Sequence, residues 1–138
     1  MNLSEIKELI EEERRMYVPN QYHFMKWAHQ RRYLIWKCLS SFRLAQYWKN
    51  EILNDKSGPA MRFVAKLKYR YYFRQKNLYS EKSGVEIANH STLGRRLNIW
   101  HGGVVISGHL GNDCVIHGSN VIGNKGNGDL AVPVLGNG

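Results

Sequence analysis

Small apolar residues recur about every six positions between residues 93 and 122, and this spacing constrains the fold more than any other feature of the sequence. A six-residue period is typical of a parallel β-helix, in which each coil contributes three short strands. We therefore expect the repeated residues to point inward and to stack on their equivalents in the next coil. Successive steps of 6, 5, 6, 6 and 6 residues separate Leu93, Ile99, Val104, Leu110, Ile116 and Ile122.

Charge and glycine divide the chain of 138 residues into two parts near Ser83. Residues 1–82 hold 17 basic side chains against 8 acidic ones, whereas residues 83–138 hold 3 of each and 12 of the 13 glycines. We predict a basic, aromatic-rich α-helical region over residues 1–82 and a β-helical domain over residues 83–138. Because the repeat stops shortly after Leu135, we expect the β-helix to be truncated at its C-terminus.

Three helical stretches are predicted in the first region. A capped helix begins near Ser4 and is broken at Pro19, and one long or two shorter helices follow over residues 22–53. Gly58 and Pro59 interrupt the pattern before a third helix over residues 60–77.

Basic residues alternate with aromatic ones on the third helix. This pattern allows nucleic-acid binding by charge neutralisation and stacking. We favour a structural interpretation, in which Phe63, Leu67, Tyr71 and Arg74 trace a packed helix face, because no recognisable nucleic-acid motif accompanies the charge. Contact with an anionic membrane surface is a further alternative.

Cellular location is predicted from the cysteines and from the hydropathy of the chain. Cys38 and Cys114 are too few for a disulfide framework and fit a reducing compartment. The N-terminus lacks the basic and apolar segments of a secretion signal, and no run of about 18 apolar residues could span a bilayer. We therefore predict a cytoplasmic protein without a transmembrane segment.

Several segments of the second region match a known family pattern, including the sequence Trp100-His101-Gly102-Gly103. The matching segments are residues 84–87, 93–95, 99–106, 116–118 and 122–126. They resemble the serine acetyltransferase family, and most closely its short members from bacterial surface-polysaccharide gene sets. The resemblance implies a left-handed β-helix, acetyl-CoA as donor, and a homotrimer with active sites between subunits.

His101 is the candidate catalytic base. Acetyl transfer from a thioester to an alcohol needs a base for the hydroxyl proton, and imidazole exchanges protons readily near neutral pH. Glu86 lies fifteen residues earlier, where the family carries an Asp, and we expect it to orient the imidazole. Gly102 and Gly103 are expected to form the corner beside the histidine.

The resemblance also indicates where both substrates bind. It implies that the pantetheine arm of CoA lies beside the glycine-rich loop Gly123, Asn124, Lys125 and Gly126. Trp100 replaces the acid that holds the serine amino group in true serine acetyltransferases, and an aromatic ring there suits a sugar. A second histidine of the family has no counterpart near Pro133. We predict an acetyl-CoA-dependent O-acetyltransferase whose acceptor is L-serine or, at least as readily, a polysaccharide sugar.

Two other function classes stay open. One is a zinc-dependent enzyme resembling γ-carbonic anhydrase, built from His90, His101, His109 and His117. The spacing typical of those zinc ligands is missing, so we expect no metal. The other is a non-catalytic trimeric binding or scaffold protein with a basic helical region, whose binding would depend strongly on salt. No nucleic-acid partner is expected.

Overall fold

Four helices precede a series of short strands in a computed structural model that describes residues 1–54, 58–123 and 134–138. The helices are α1 (Leu3–Tyr17), α2 (Tyr22–Trp27), α3 (Arg31–Asn54) and α4 (Pro59–Ser83). The strands in the described residues are β1 (Val85–Ile87), β2 (Asn98–Ile99), β3 (Val104–Ile106), β4 (His109–Leu110), β5 (Val115–Ile116), β6 (Val121–Ile122) and β7 (Val134–Leu135).

The helix ends follow local capping chemistry. Asn2, and not the predicted Ser4, caps α1, because its side chain accepts from the Glu5 amide while the Glu5 carboxylate accepts from the Asn2 amide. Helix α4 runs past the predicted end at residue 77. It stops at Gly84, whose positive φ of 74° allows its amide to donate to the Ser80 carbonyl.

All the strand pairs in the described residues are parallel, but the predicted left-handed β-helix is wrong. Strands β1, β3 and β6 form one sheet, β2 pairs with β5, and β4 pairs with β7. These are three separate small sheets of strands two or three residues long, and no closed or solenoid sheet joins them in the part of the chain described. The six-residue period therefore does not determine how the strands associate.

The repeated apolar residues are nevertheless inside. Ile99, Val104, Leu110 and Ile116 are buried, and Leu93 and Ile122 are partly buried against the same core. That core also contains the end of α1 and much of α3, so the strand residues pack against helices as well as one another. The period predicted correctly which side chains point inward, and helix packing supplies part of the core that further coils would have supplied.

A buried ion pair fixes α1 against α3 and against the first turn of the strand region. The Arg43 Nη2 atom lies 2.7 Å from Glu13 Oε1, and both side chains are buried. The same guanidinium donates to the carbonyl oxygens of Leu93 and Gly94. Burial raises the pKa of Glu13 above its ordinary value, although the charge of Arg43 opposes that shift.

Helix α3 is the central helix, with buried residues on most of its sides over residues 33–45. It packs along α4 and also contacts α1, α2 and β1. No helix within the described ranges is both long enough and apolar enough to cross a membrane.

Candidate functional site

His101 lies in a bend two residues after the end of β2, with its side chain exposed to solvent. Its Nδ1 atom is 3.3 Å from Nη1 of Arg31, the first residue of α3. A guanidinium has only hydrogen-bond donors, so Nδ1 accepts in this contact, and a neutral ring then carries its hydrogen on Nε2. The lone pair of the imidazole therefore faces Arg31.

Arg32 holds the residue before this histidine. Its guanidinium carbon lies 4.2 Å from the centre of the Trp100 ring and 4.0 Å from the centre of the Tyr17 ring. Its Nη1 atom also donates to the Asn98 side-chain oxygen at 2.8 Å and to the Ile99 carbonyl at 2.7 Å. Partial burial lowers the pKa of Arg32, while the neighbouring Tyr17 acts in the opposite direction. One face of Trp100, the predicted sugar platform, is therefore covered by a cation.

Tyr17, at the end of α1, fixes the strand that leads to the histidine. Its hydroxyl donates to the Leu97 carbonyl at 2.6 Å and accepts from the Ile99 amide at 2.7 Å. Burial raises the pKa of this phenol well above its ordinary value, so it stays protonated and can make both bonds at once. The backbone on the N-terminal side of His101 is rigidly held as a result.

The residues after the histidine form a tight corner, as the sequence predicts. Gly103 has a φ of 74°, and its amide donates to the Gly84 carbonyl at 2.7 Å. A Cβ atom on Gly102 would lie 2.6 Å from the Ser83 carbonyl oxygen, so the close approach of these two segments requires glycine. The Gly103 amide is thus used in the fold and is not directed at a substrate.

Glu86 lies elsewhere, in the middle of β1 with its side chain exposed. It lines a groove of about 880 Å³ between α4 and the sheet, together with Lys76 and Glu81. No hydrogen bond joins Glu86 to His101 in the described residues, where the contact given for the imidazole is the one from Arg31 to Nδ1. The orienting role of Glu86 stays a prediction.

Lys76 is the most enclosed polar group of this groove. Its Nζ atom donates to the Asn89 side-chain oxygen at 3.2 Å, and the lysine side chain is almost fully buried. Burial lowers the pKa of Lys76, and the negative charge of Glu86 partly opposes the shift. The groove therefore combines acidic and basic side chains next to β1.

The predicted CoA loop falls almost entirely outside the described residues. Gly123 is described, and among the described residues a Cβ atom there would come within 4 Å of Ser107 alone, at 3.8 Å. Asn124, Lys125 and Gly126 lie outside the described residues. The role of this loop stays a prediction of the family resemblance.

Three of the four histidines of the zinc interpretation contact different partners, His101 through Arg31 as described above. His90 lies 3.0 Å from the Ser107 hydroxyl, and His109 lies 2.8 Å from the Thr92 hydroxyl. Within the described part of the chain, no three His, Cys, Asp or Glu side chains are grouped so that they could hold a metal ion. Nothing in this arrangement favours the zinc alternative.

Sequence reasoning missed the three residues that position the candidate base, namely Tyr17, Arg31 and Arg32. They come from α1 and α3 and are 66 to 82 positions away from their partners at Asn98, Ile99 and His101. The only available signal was the Arg31-Arg32 pair within the helical stretch predicted over residues 22–53.

Comparisons of this chain with protein-family models, with curated proteins and with solved structures found no match. The resemblance to serine acetyltransferases therefore remains an interpretation of the residues quoted above.

Proposed function

We propose that the chain transfers an acetyl group from acetyl-CoA to a hydroxyl group of L-serine or of a polysaccharide sugar, with His101 as base. One observation carries the proposal: His101 is exposed on a bend between two fixed segments. Arg32 and Tyr17 hold the preceding strand, and Gly103 fixes the corner that follows. A base that must meet two substrates needs an accessible ring on a rigid support.

The proton is taken by the nitrogen that now faces Arg31. The acceptor hydroxyl replaces the guanidinium at Nδ1 of His101 and donates its hydrogen bond there. As its oxygen attacks the thioester carbon, the proton passes to Nδ1 and a new C–O bond forms. The tetrahedral intermediate then collapses, the C–S bond breaks, and the imidazolium returns the proton to the leaving thiolate.

Arg31 also contributes to binding of the donor in the proposed reaction. Its side chain is exposed and carries a guanidinium, which binds phosphate or carboxylate through paired donors. An anionic group of CoA would attract it and so uncover the lone pair of His101. Binding of the donor and activation of the base are then coupled through one side chain.

The test is release of free CoA thiol from acetyl-CoA by the wild-type chain, with L-serine and a panel of sugars as acceptors. We expect release that requires an acceptor, and a loss of about 100-fold or more in kcat for His101→Ala, since general base catalysis contributes about that factor. Glu86→Gln should reduce kcat less, because no hydrogen bond links it to the histidine in the described residues.

His23→Ala provides a matched control, because His23 is an exposed histidine on α2. It should retain wild-type turnover. Turnover of His101→Ala near the wild-type level would refute the assignment. Absence of release with every acceptor, from a folded protein, would favour the binding or scaffold alternative.

We further propose a cytoplasmic location and a homotrimer, as the resemblance implies. A cytoplasmic location agrees with the two free cysteines, Cys38 and Cys114, both of which are buried. Sedimentation equilibrium of the purified chain measures the oligomeric state directly, and a monomer at all concentrations would contradict the trimer.

A further inference from the structure

Helix α4 has two opposite apolar faces. One face packs against α3 through Ala65, Tyr69 and Phe73; the first is buried, and the other two line a cavity with α3 residues. Successive residues are 100° apart around the helix axis, so two positions correspond to about 200°. Leu67 and Tyr71 are each two positions from a residue of the packed face and therefore lie on the opposite side of the helix. The outer face of α4, as we call it, consists of the apolar residues Phe63, Val64, Leu67, Tyr71 and Leu78 together with Arg74, which lies among them.

The outer face is solvent-exposed, which contradicts the packing predicted for it. Phe63 is 63% exposed, Leu67 51% and Tyr71 57%. The sequence assigned these side chains to the packed side, whereas the structure packs the opposite one. An exposed apolar stripe of this kind, with one basic residue at Arg74, marks an interaction surface on a folded protein.

The charge around the outer face has a single sign. All six charged side chains of residues 59–80 are basic, and the first acidic one is Glu81. Lys66 and Arg70 flank the outer face on one side and Lys68 flanks it on the other; all three are exposed. The partner of this surface must therefore offer both apolar contact and negative charge.

We propose that the outer face of α4 docks on the surface of an anionic lipid bilayer. A helix of this composition lies in the interface, with its aliphatic and aromatic side chains among the acyl chains and its basic side chains at the headgroups. Val64, Leu67 and Leu78 favour lipid over nucleic acid, because aliphatic side chains provide no platform for stacking bases.

A second copy of the chain fits this surface poorly. Pairing two outer faces would bring Lys66, Lys68 and Arg70 of one chain near the same residues of the other, with no acidic side chain in residues 59–80 to compensate. Lipid headgroups such as phosphatidylglycerol supply the missing negative charge. The proposal is independent of the acetyl-transfer activity.

The test is sedimentation of the full chain with phosphatidylcholine vesicles, with and without phosphatidylglycerol. We expect binding only to vesicles that contain phosphatidylglycerol, and a loss of at least about tenfold in partitioning for the double variant Leu67→Glu, Tyr71→Glu. Lys66→Gln with Arg70→Gln should also weaken binding and reduce its dependence on salt.

Val115→Glu is the matched control, because Val115 is 55% exposed on β5 and receives the same chemical change away from α4. It should bind vesicles like the wild type, and circular dichroism should show all variants folded. Failure of the wild type to bind phosphatidylglycerol vesicles would overturn the proposal. Equal binding by the Leu67→Glu, Tyr71→Glu variant, or tighter binding of a single-stranded oligonucleotide than of vesicles, would also overturn it.

Discussion

At the scale of single residues, two consecutive arginines differ in function. Arg31 is exposed and contacts only the imidazole of His101 among the contacts described here, whereas Arg32 is half-buried between two aromatic rings and donates to two oxygens of β2. The first can change its partner without loss of buried packing. The second is part of the framework that holds Trp100 in place.

This difference predicts unequal effects of the same substitution. Arg32→Ala should lower the free energy of unfolding by about 2–3 kcal/mol, because it removes charged hydrogen bonds and leaves the Ile99 carbonyl without that donor. Arg31→Ala should change it by about 0.5 kcal/mol or less, as is usual for surface positions. Urea unfolding of both variants measures the two values, and equal losses would contradict the distinction.

The residue scale also shows where sequence reasoning ended. The exposed His101 and the glycine corner beside it could be predicted, since both depend on neighbouring residues. The contacts with Tyr17 and Arg32 could not, because they join α1 and α3 to β2 across more than 60 positions and leave no local pattern.

At the scale of secondary-structure elements, close backbone approach explains Gly94 and Gly111, two of the glycines that follow repeated apolar residues. A Cβ atom on Gly94 would overlap the carbonyl group of Gly111, which belongs to the turn stacked against it. Gly123 follows Ile122 in the same way, but a Cβ atom there would be at least 3.8 Å from the side chains and backbone of the described residues around it. The sequence pattern is the same at both positions, and only the neighbouring segment differs.

Gly94→Ala should therefore destabilise the protein by about 2–3 kcal/mol, since the overlap forces the two turns apart. Gly123→Ala should be tolerated within about 0.5 kcal/mol, because among the described residues the nearest atom to the new Cβ belongs to Ser107, at 3.8 Å. Thermal unfolding of the pair provides the comparison. A Gly94→Ala protein as stable as Gly123→Ala would mean that the turns are not packed as described.

Helix α4 shows why an element can be predicted while its orientation is not. Residues 63, 67 and 71 and residues 65, 69 and 73 both follow a four-residue spacing, and both sets are apolar. Periodicity identifies a helix from either set but does not determine which one is buried. Packing against α3 determines which set faces the protein interior, and that set is residues 65, 69 and 73.

At the scale of the whole molecule, the two predicted regions share one hydrophobic core. Buried residues of α1 and α3 form a single cluster with those of the strands, and the boundary predicted near residue 82 falls at the end of α4. Each region also contains one buried cysteine, Cys38 in α3 and Cys114 near β5. Burial raises the pKa of the Cys38 thiol to about 12.

The shared core predicts that both regions unfold together. Pulses of iodoacetamide at increasing urea concentration should leave both cysteines unmodified in the native protein and modify both at the same midpoint. Mass spectrometry of the two cysteine peptides gives the extent at each site. Different midpoints for Cys38 and Cys114 would show that the regions unfold separately.

The fold class is the part of the prediction that failed at this scale. The apolar period correctly predicted inward residues such as Ile99 and Val104, because burial is a property of individual side chains. The association of strands depends on what covers the core, and here α1 and α3 take part. A period of six residues carries no information about those helices.

The phenol of Tyr17 has a consequence for self-association of the chain. Its hydroxyl occupies the Leu97 carbonyl and the Ile99 amide, the two backbone groups that a further strand would use to add to this edge of β2. A helix side chain thus blocks the addition of another strand at this edge of β2. Replacing it with phenylalanine would keep the ring over this edge but would leave the buried Leu97 carbonyl and Ile99 amide without that partner, so we expect the free energy of unfolding to fall by about 1–3 kcal/mol.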